Sequence, residues 1–264
     1  MRGFLEAGKR AQEAALEILE SELPLRGPND EQLIYSFDQV RLLAPLPNPA
    51  SVRDFYAFEQ HVKTGFAKRG EPMPEEWYQM PVYYKSGHHN IVGPDADVAW
   101  PSFTEKFDYE LELACVIGRR GRNVSGADAG AYIAGYTIMN DFSARDVQRR
   151  EMKVRLGPAK GKDWATALGP VLVTADELAN PYVLNMEARI NGELWSRGTS
   201  ASMFWRFEQM IEFLTLDDEI LPGDVIGSGT VGTGCGLELD RWVQRGDVME
   251  LEIEKIGVLR NRVV

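Results

Sequence analysis

Phe4, Ala7, Ala11, Ala14, Ala15 and Ile18 recur at helical spacing and predict a moderately amphipathic helix over residues 3–23. Residues 39–44 read as a strand, which the stiff connector Pro45-Leu-Pro-Asn-Pro49 brings to an end. Beyond the connector, Phe55, Phe58, Val62 and Phe66 trace one apolar stripe, which predicts a helix over 51–67. Short β segments dominate the remainder, at 82–85, 109–117, 136–140, 170–173, 184–190 and 249–256, with Gly- and Pro-bearing turns between them. Helices interrupt them over 144–153 and 204–214, and Asn191-Gly192 marks a hairpin. The expected class is α+β and β-rich, with a small N-terminal accessory α/β domain over residues 1–48 and a larger domain over 49–264.

One strand departs from simple patterning. In the segment from Phe107 to Ile117, the odd positions Tyr109, Leu111, Leu113, Cys115 and Ile117 are apolar, while the even positions run Glu110, Glu112, Ala114 and Val116. Both carboxylates leave the same face, and that face turns apolar further along, so both faces of the strand are expected to be buried. Taken alone, a same-face Glu-x-Glu pair is more often a solvated sheet edge. Asp54 and Asp141, however, also sit beside apolar segments. Buried acids repel one another unless a positive charge lies among them, and a hard divalent cation held by oxygen ligands would meet that need. Glu110, Glu112, Asp141 and Asp54 would form an all-oxygen set suited to Mg²⁺, Ca²⁺ or Mn²⁺; His and Cys pairs at zinc spacing are missing.

Three histidines occur. His88 and His89 fall in a loop, where a turn-stabilising or exposed role is expected. His61 lies on the predicted 51–67 helix. There it is either a core histidine with one satisfied hydrogen bond or, about 10 Å of helical rise from Asp54, a group in reach of a water held between them. Lys162 stands in the Gly-rich loop Gly157-Pro-Ala-Lys-Gly-Lys162, which could bring an ammonium group close to a ligand. The stretch Gly227-Ser-Gly-Thr-Val-Gly-Thr-Gly234 lacks the Lys-Ser/Thr ending of a nucleotide P-loop.

Composition narrows the setting. A net charge of -11 argues against a nucleic-acid surface, and it also repels organic acids, so an acidic substrate would need a bound metal, Lys85, Arg145 or Lys162 to reverse the local potential. Two cysteines are too few for a disulfide framework and fit a reducing cytoplasm. The N-terminal stretch has neither the apolar core of a secretory signal nor a membrane span, so no membrane association is expected.

The segments Asp54-Phe-Tyr-x-x-x-x-His61, Asp108-Tyr-Glu-Leu-Glu112, Asn140-Asp-Phe-Ser-Ala-Arg-Asp-Val-Gln148 and Gly161-Lys162 together resemble the fumarylacetoacetate hydrolase family over residues 49–264. The resemblance implies a mixed β-sandwich roll, a homodimer, and Mg²⁺, with Ca²⁺ or Mn²⁺ possible, held by Asp54, Glu110, Glu112 and Asp141. It implies His61 as the base, paired with Glu238, and Tyr56, Arg145, Gln148, Lys162 and Thr230 lining the substrate site. The implied activity is metal-dependent hydrolysis of a C–C bond in a 1,3-dicarbonyl acid such as an acylpyruvate or a fumarylacetoacetate-like acid. In that scheme His61 activates water, and Lys162 with Gln148 stabilises the oxyanion. Relatives of this kind also isomerise 2-hydroxyhepta-2,4-dienedioate or decarboxylate or dehydrate 2-keto acids. The different sequence over residues 66–80, a candidate lid, leaves the substrate open.

Overall fold

The computed structural model describes residues 1–21 and 26–264. Its centre is a seven-stranded mixed sheet in the order Tyr83–Ser86, Ser51–Phe55, Asp224–Gly227, Leu111–Ile117, Ile133–Asp141, Thr166–Thr174 and Ile91–Val92. Most neighbours are antiparallel, but Ser51–Phe55 runs parallel to Asp224–Gly227, a pairing that joins residues more than 170 positions apart in sequence. A second sheet of five strands orders Glu193–Thr199, Asn185–Ile190, Val248–Ile253, Gly257–Val263 and Asp97–Val98. The chain is thus α+β and strand-rich. Among the described residues no helix is long and apolar enough to cross a membrane.

Strand alternation decides what each sheet face buries. Leu111, Leu113, Cys115 and Ile117 point into the main core, where they join Met186, Ala188, Met249 and Leu251 of the second sheet and Phe207, Met210 and Ile211 of the helix Phe207–Leu214. Ala114 and Val116 point the other way and pack with Met139, Leu168, Val225 and Val52 under Leu5, Ala44 and Leu46. Both faces are therefore dry, as the apolar continuation of the glutamate face implies.

Several expectations change. Residues 51–67 are not one helix: Ser51–Phe55 is a strand, and the helix runs only from Glu59 to Arg69. The apolar stripe suits a helix, yet two sheet neighbours claim its first residues, and this tertiary pairing overrides local periodicity. Asp54 is consequently a strand residue, and no pair of helical turns separates it from His61. The strand expected over 39–44 does not form; Phe37–Gln39 is a 3-10 turn, and Leu42 and Leu43 are exposed without a sheet neighbour. The N-terminal helix is split at Gly8, whose φ is 57°, into Arg2–Ala7 and Lys9–Glu20, and its expected end at Leu23 lies outside the described residues. The Asn191-Gly192 hairpin is present, with both residues at positive φ as a two-residue turn of the primed kind requires.

Candidate active site

Sheet register gathers the carboxylates. Asp54, next to the end of its strand, lies opposite Gly227 on one side and Tyr84 on the other. Glu112 pairs with Met139, two residues before Asp141 ends its own strand, and Glu110 precedes the Leu111–Ile117 strand, where its backbone bridges Cys235. Oxygens of Asp54, Glu110, Glu112 and Asp141 come within 4.8 Å of one another, and all four residues are buried. Gly227 creates the space: a Cβ at this position would stand 2.6 Å from Asp54 Oδ1 and 2.8 Å from Glu112 Oε2.

Two cations enter this cluster. Lys162, 2% exposed, donates to Glu110 Oε2 at 2.5 Å and also to Asp141 Oδ2. Arg145 NH2 lies 2.7 Å from Glu110 Oε1, while its NH1 donates to Gln148 Oε1 at 3.1 Å. Gln148 is thereby oriented with its amide N–H groups left over for a ligand. Tyr84 donates its hydroxyl to Asp141 Oδ2.

Two positive charges do not balance four carboxylates, and the ionisation behaviour follows. Burial, then the charge of Asp141, raises Asp54 from the usual 3.8 to about 8. Burial followed by the charges of Asp54 and Asp141 pushes Glu112 well above the glutamate range, and burial raises Asp141 despite the opposing pull of Lys162. Burial acts on Glu110 in the same sense, but Arg145 and Lys162 outweigh it and hold that carboxyl low. Asp54 Oδ1, Glu112 Oε1 and Asp141 Oδ1 are buried and accept no hydrogen bond. Unpartnered buried carboxylate oxygens are costly, and three of them facing a common centre beside Glu110 fit a hard divalent ion.

A second group adjoins the first. His61, buried on the helix Glu59–Arg69, has Nδ1 2.5 Å from Glu238 Oε1, and Glu238 Oε2 accepts the Thr233 N–H at 3.0 Å. His61 and Glu238 cluster with Cys235, whose backbone bridges Glu110. Tyr56 meets the His61 ring edge-on, with centroids 5.2 Å apart. The Trp77 indole donates to the Tyr56 carbonyl at 2.7 Å, and the Trp205 indole donates to the Trp77 carbonyl at 2.9 Å, so the 3-10 turn Glu75–Tyr78 within the candidate lid is latched to the edge of the site. Thr230 is buried with an unpartnered hydroxyl.

Some candidates lie elsewhere. Lys85 is exposed, on the strand face opposite Tyr84. His88 and His89 stack on each other at 4.1 Å, and His89 is exposed. Sequence reasoning gives Tyr84 no mention and names Asp108 only within the Asp108–Glu112 segment, without a role. Asp108 begins the same alternation as Glu110 and Glu112, which was the available signal; Tyr84 carried none beyond its neighbourhood on a strand.

A model of the fumarylacetoacetate (FAA) hydrolase C-terminal domain matches residues 50–264. The chain belongs to the fumarylacetoacetate hydrolase family. Oxaloacetate tautomerase FAHD2A, mitochondrial, of Homo sapiens is 34% identical over 266 residues, covering 100% of this chain and 79% of that protein. Oxaloacetate tautomerase YisK of Bacillus subtilis (strain 168) is 34% identical over 244 residues, covering 89% of this chain and 78% of its own. Among solved structures, fumarylpyruvate hydrolase from Pseudomonas aeruginosa in complex with Mn²⁺ and pyruvate aligns with a TM-score of 0.71 at 25% identity, covering 82% of this chain and 90% of that one.

Two expectations follow for this site. Gly227→Ala must displace Asp54 or Glu112, so Mn²⁺ affinity measured by calorimetry should drop on the order of 10–100-fold; unchanged affinity would show that the two carboxylates do not share an ion. Between the usual 3.8 and about 8, the ion-free folded protein keeps a proton on Asp54 that the unfolded chain releases, so this residue costs stability as pH rises. In chelator, Asp54→Asn should therefore melt near the wild type at pH about 4 and progressively above it toward pH about 8, with thermal melts at a pH series as the measurement.

Proposed function

We propose that the protein is a divalent-metal-dependent keto–enol tautomerase of a small 2-keto dicarboxylic acid, with oxaloacetate as the first candidate. The His61–Glu238 pair set beside the Asp54, Glu110, Glu112 and Asp141 cluster carries this reading, because it joins a base to a site for the cation that holds a 2-keto acid. Two relatives that share about a third of their residues with this chain, both named oxaloacetate tautomerases, support the choice of reaction. Mg²⁺ or Mn²⁺ suits the all-oxygen donor set.

The four carboxylates would hold the ion, which supplies Lewis-acid polarisation of the keto oxygen when bound. His61, with Nδ1 engaged by Glu238, has Nε2 left to take the proton from the carbon beside the ketone. Glu238 then stabilises the imidazolium. Burial alone would depress Lys162, but Asp141 and Glu110 outweigh it and hold its ammonium above the ordinary lysine range. Lys162 therefore stays charged and acts as a fixed positive group for the developing enolate oxygen rather than as a base. Gln148 supplies N–H donors, and the proton returns from His61 to oxygen to complete the enol. Tyr56, Arg145 and Thr230 complete the walls.

C–C hydrolysis of a dicarbonyl acid is the second reading. It is favoured by the same dyad, which can deprotonate water as well as carbon, and by the likeness to fumarylpyruvate hydrolase. Loss of enol absorbance by oxaloacetate, followed with and without chelator, tests the first reading; incorporation of ¹⁸O from water into a product carboxylate tests the second. His61→Ala should lower turnover by about 10²–10⁴-fold while leaving Mn²⁺ affinity in place, and near-wild-type activity in that variant would remove the dyad from either mechanism.

A further inference from the structure

Asp108 is fully buried and is claimed by neither the cation cluster nor the dyad, yet it touches the supports of both. Its Oδ1 accepts the N–H of Tyr109 at 3.0 Å and of Gly236 at 2.8 Å. Its Oδ2 accepts the N–H of Leu237 at 3.0 Å and the Nε–H of Arg145 at 2.7 Å. Four donors from three separate stretches of chain thus converge on one carboxylate, and none of them is solvent.

The two arms lead to opposite halves of the site. Through Arg145, Asp108 fixes the guanidinium that lies 2.7 Å from Glu110 and that orients Gln148. Through Gly236 and Leu237 it ties down the short helical turn Gly236–Leu239, which contains Glu238, the partner of His61. The fit at this turn leaves no slack: a Cβ on Gly236 would stand 2.6 Å from Asp108 Oδ1 and 2.2 Å from the Arg241 carbonyl oxygen. Among the described residues, Glu238 has only the Thr233 N–H and the Cys235 thiol besides His61 to hold its carboxylate, at 3.0 and 3.6 Å. Its backbone is located by the Asp108 contacts together with the Arg241 N–H, which donates to the Gly236 carbonyl at 3.1 Å.

We propose that Asp108 is a positioning residue that sets the His61–Glu238 dyad in register with the carboxylate cluster by holding Arg145 and the Gly236–Leu239 turn on one carboxylate. The proposal assumes that the dyad is the base in the reaction proposed above, but its structural part can be read without any turnover. Replacing Asp108 by Asn keeps the shape and an acceptor oxygen and removes the charge that holds Arg145. The turn then loses one of its anchors, and Glu238 moves off Nδ1 of His61.

The test is the ¹⁵N spectrum of the imidazole groups, tractable because the chain has three histidines. Ring nitrogen shifts report which nitrogen carries the proton and whether Nδ1 is hydrogen-bonded. In Asp108→Asn, at fixed pH, the His61 shifts should leave their wild-type positions and move toward those of Glu238→Gln, in which the dyad is broken directly. Where the wild type turns over oxaloacetate, kcat should fall about tenfold or more with KM changed less than about threefold. A carboxylate that merely supports the fold would lower the melting temperature and leave the His61 shifts where they were. That result, in Asp108→Asn or, should this variant fail to fold, in Asp108→Ser, overturns the proposal. Absence of turnover in the wild type would sink the assigned reaction while the His61 shifts still decided the role of Asp108.

Discussion

The whole arrangement depends on keeping four carboxylates dry at a point where, among the described residues, Lys162 and Arg145 are the cations that pair with them. Desolvating an anion is expensive, and each added neighbour of like charge increases the cost. The fold meets this constraint with particular residues. Gly227 omits a side chain where Asp54 and Glu112 approach each other, and Lys162 and Arg145 both settle on Glu110, the one carboxyl held low. Asp54, Glu112 and Asp141 carry the excess, and each retains a buried oxygen without a donor. A bundle of acids in this condition is a destabilising element in the ion-free protein. Its retention makes sense as a site whose electrostatics are completed by a divalent cation.

The seal around the cluster is part of the same logic. On the face that carries Glu112, the sheet continues as Ala114 and Val116 under Leu5, Ala44 and Leu46, so solvent is excluded from the far side. The N-terminal stretch thereby contributes to the low-dielectric surroundings that raise the carboxyl groups, although none of its residues supplies a ligand. On the near side, the Trp77 and Trp205 indoles pin the Glu75–Tyr78 turn against Tyr56. Both indoles thereby have their N–H groups satisfied while their rings stay available for apolar packing.

How much of this could be read from the chain depends on whether the signal was local. The Glu110/Glu112 pair was legible because a strand has period two and because the apolar continuation of its face marked burial. The hairpin at Asn191-Gly192 was legible because two positive φ angles require such residues. Asp54 was placed on a helix because Phe55, Phe58, Val62 and Phe66 mimic helical spacing; its true neighbour, Asp224–Gly227, begins 170 residues later and looks like the entry to a Gly-rich loop. Parallel pairing over such a distance leaves no trace in a local window. The partnership of His61 with Glu238 and the placement of Lys162 came from resemblance to a family rather than from spacing, since nothing in the order of residues reveals that 61 and 238 meet.

On the proposed reading, the geometry also accounts for how one platform would support different reactions. His61 has one nitrogen committed to Glu238, and its other nitrogen can accept a proton from whatever is placed before it. If that is a carbon next to a polarised ketone, the outcome is a proton shift within the bound acid, and no water is consumed. If it is a water molecule, the same imidazole would produce hydroxide, and on the proposed reading Lys162 and Gln148 would stabilise the oxyanion that follows its addition to a carbonyl. The bonds at the dyad are identical in the two cases, so the residues that choose between them are not the basic ones. On the proposed reading the choice would rest with the walls that fix the orientation of the acid and admit or exclude water at the base, and Tyr56, Thr230 and the latched Glu75–Tyr78 turn are the candidates for that role.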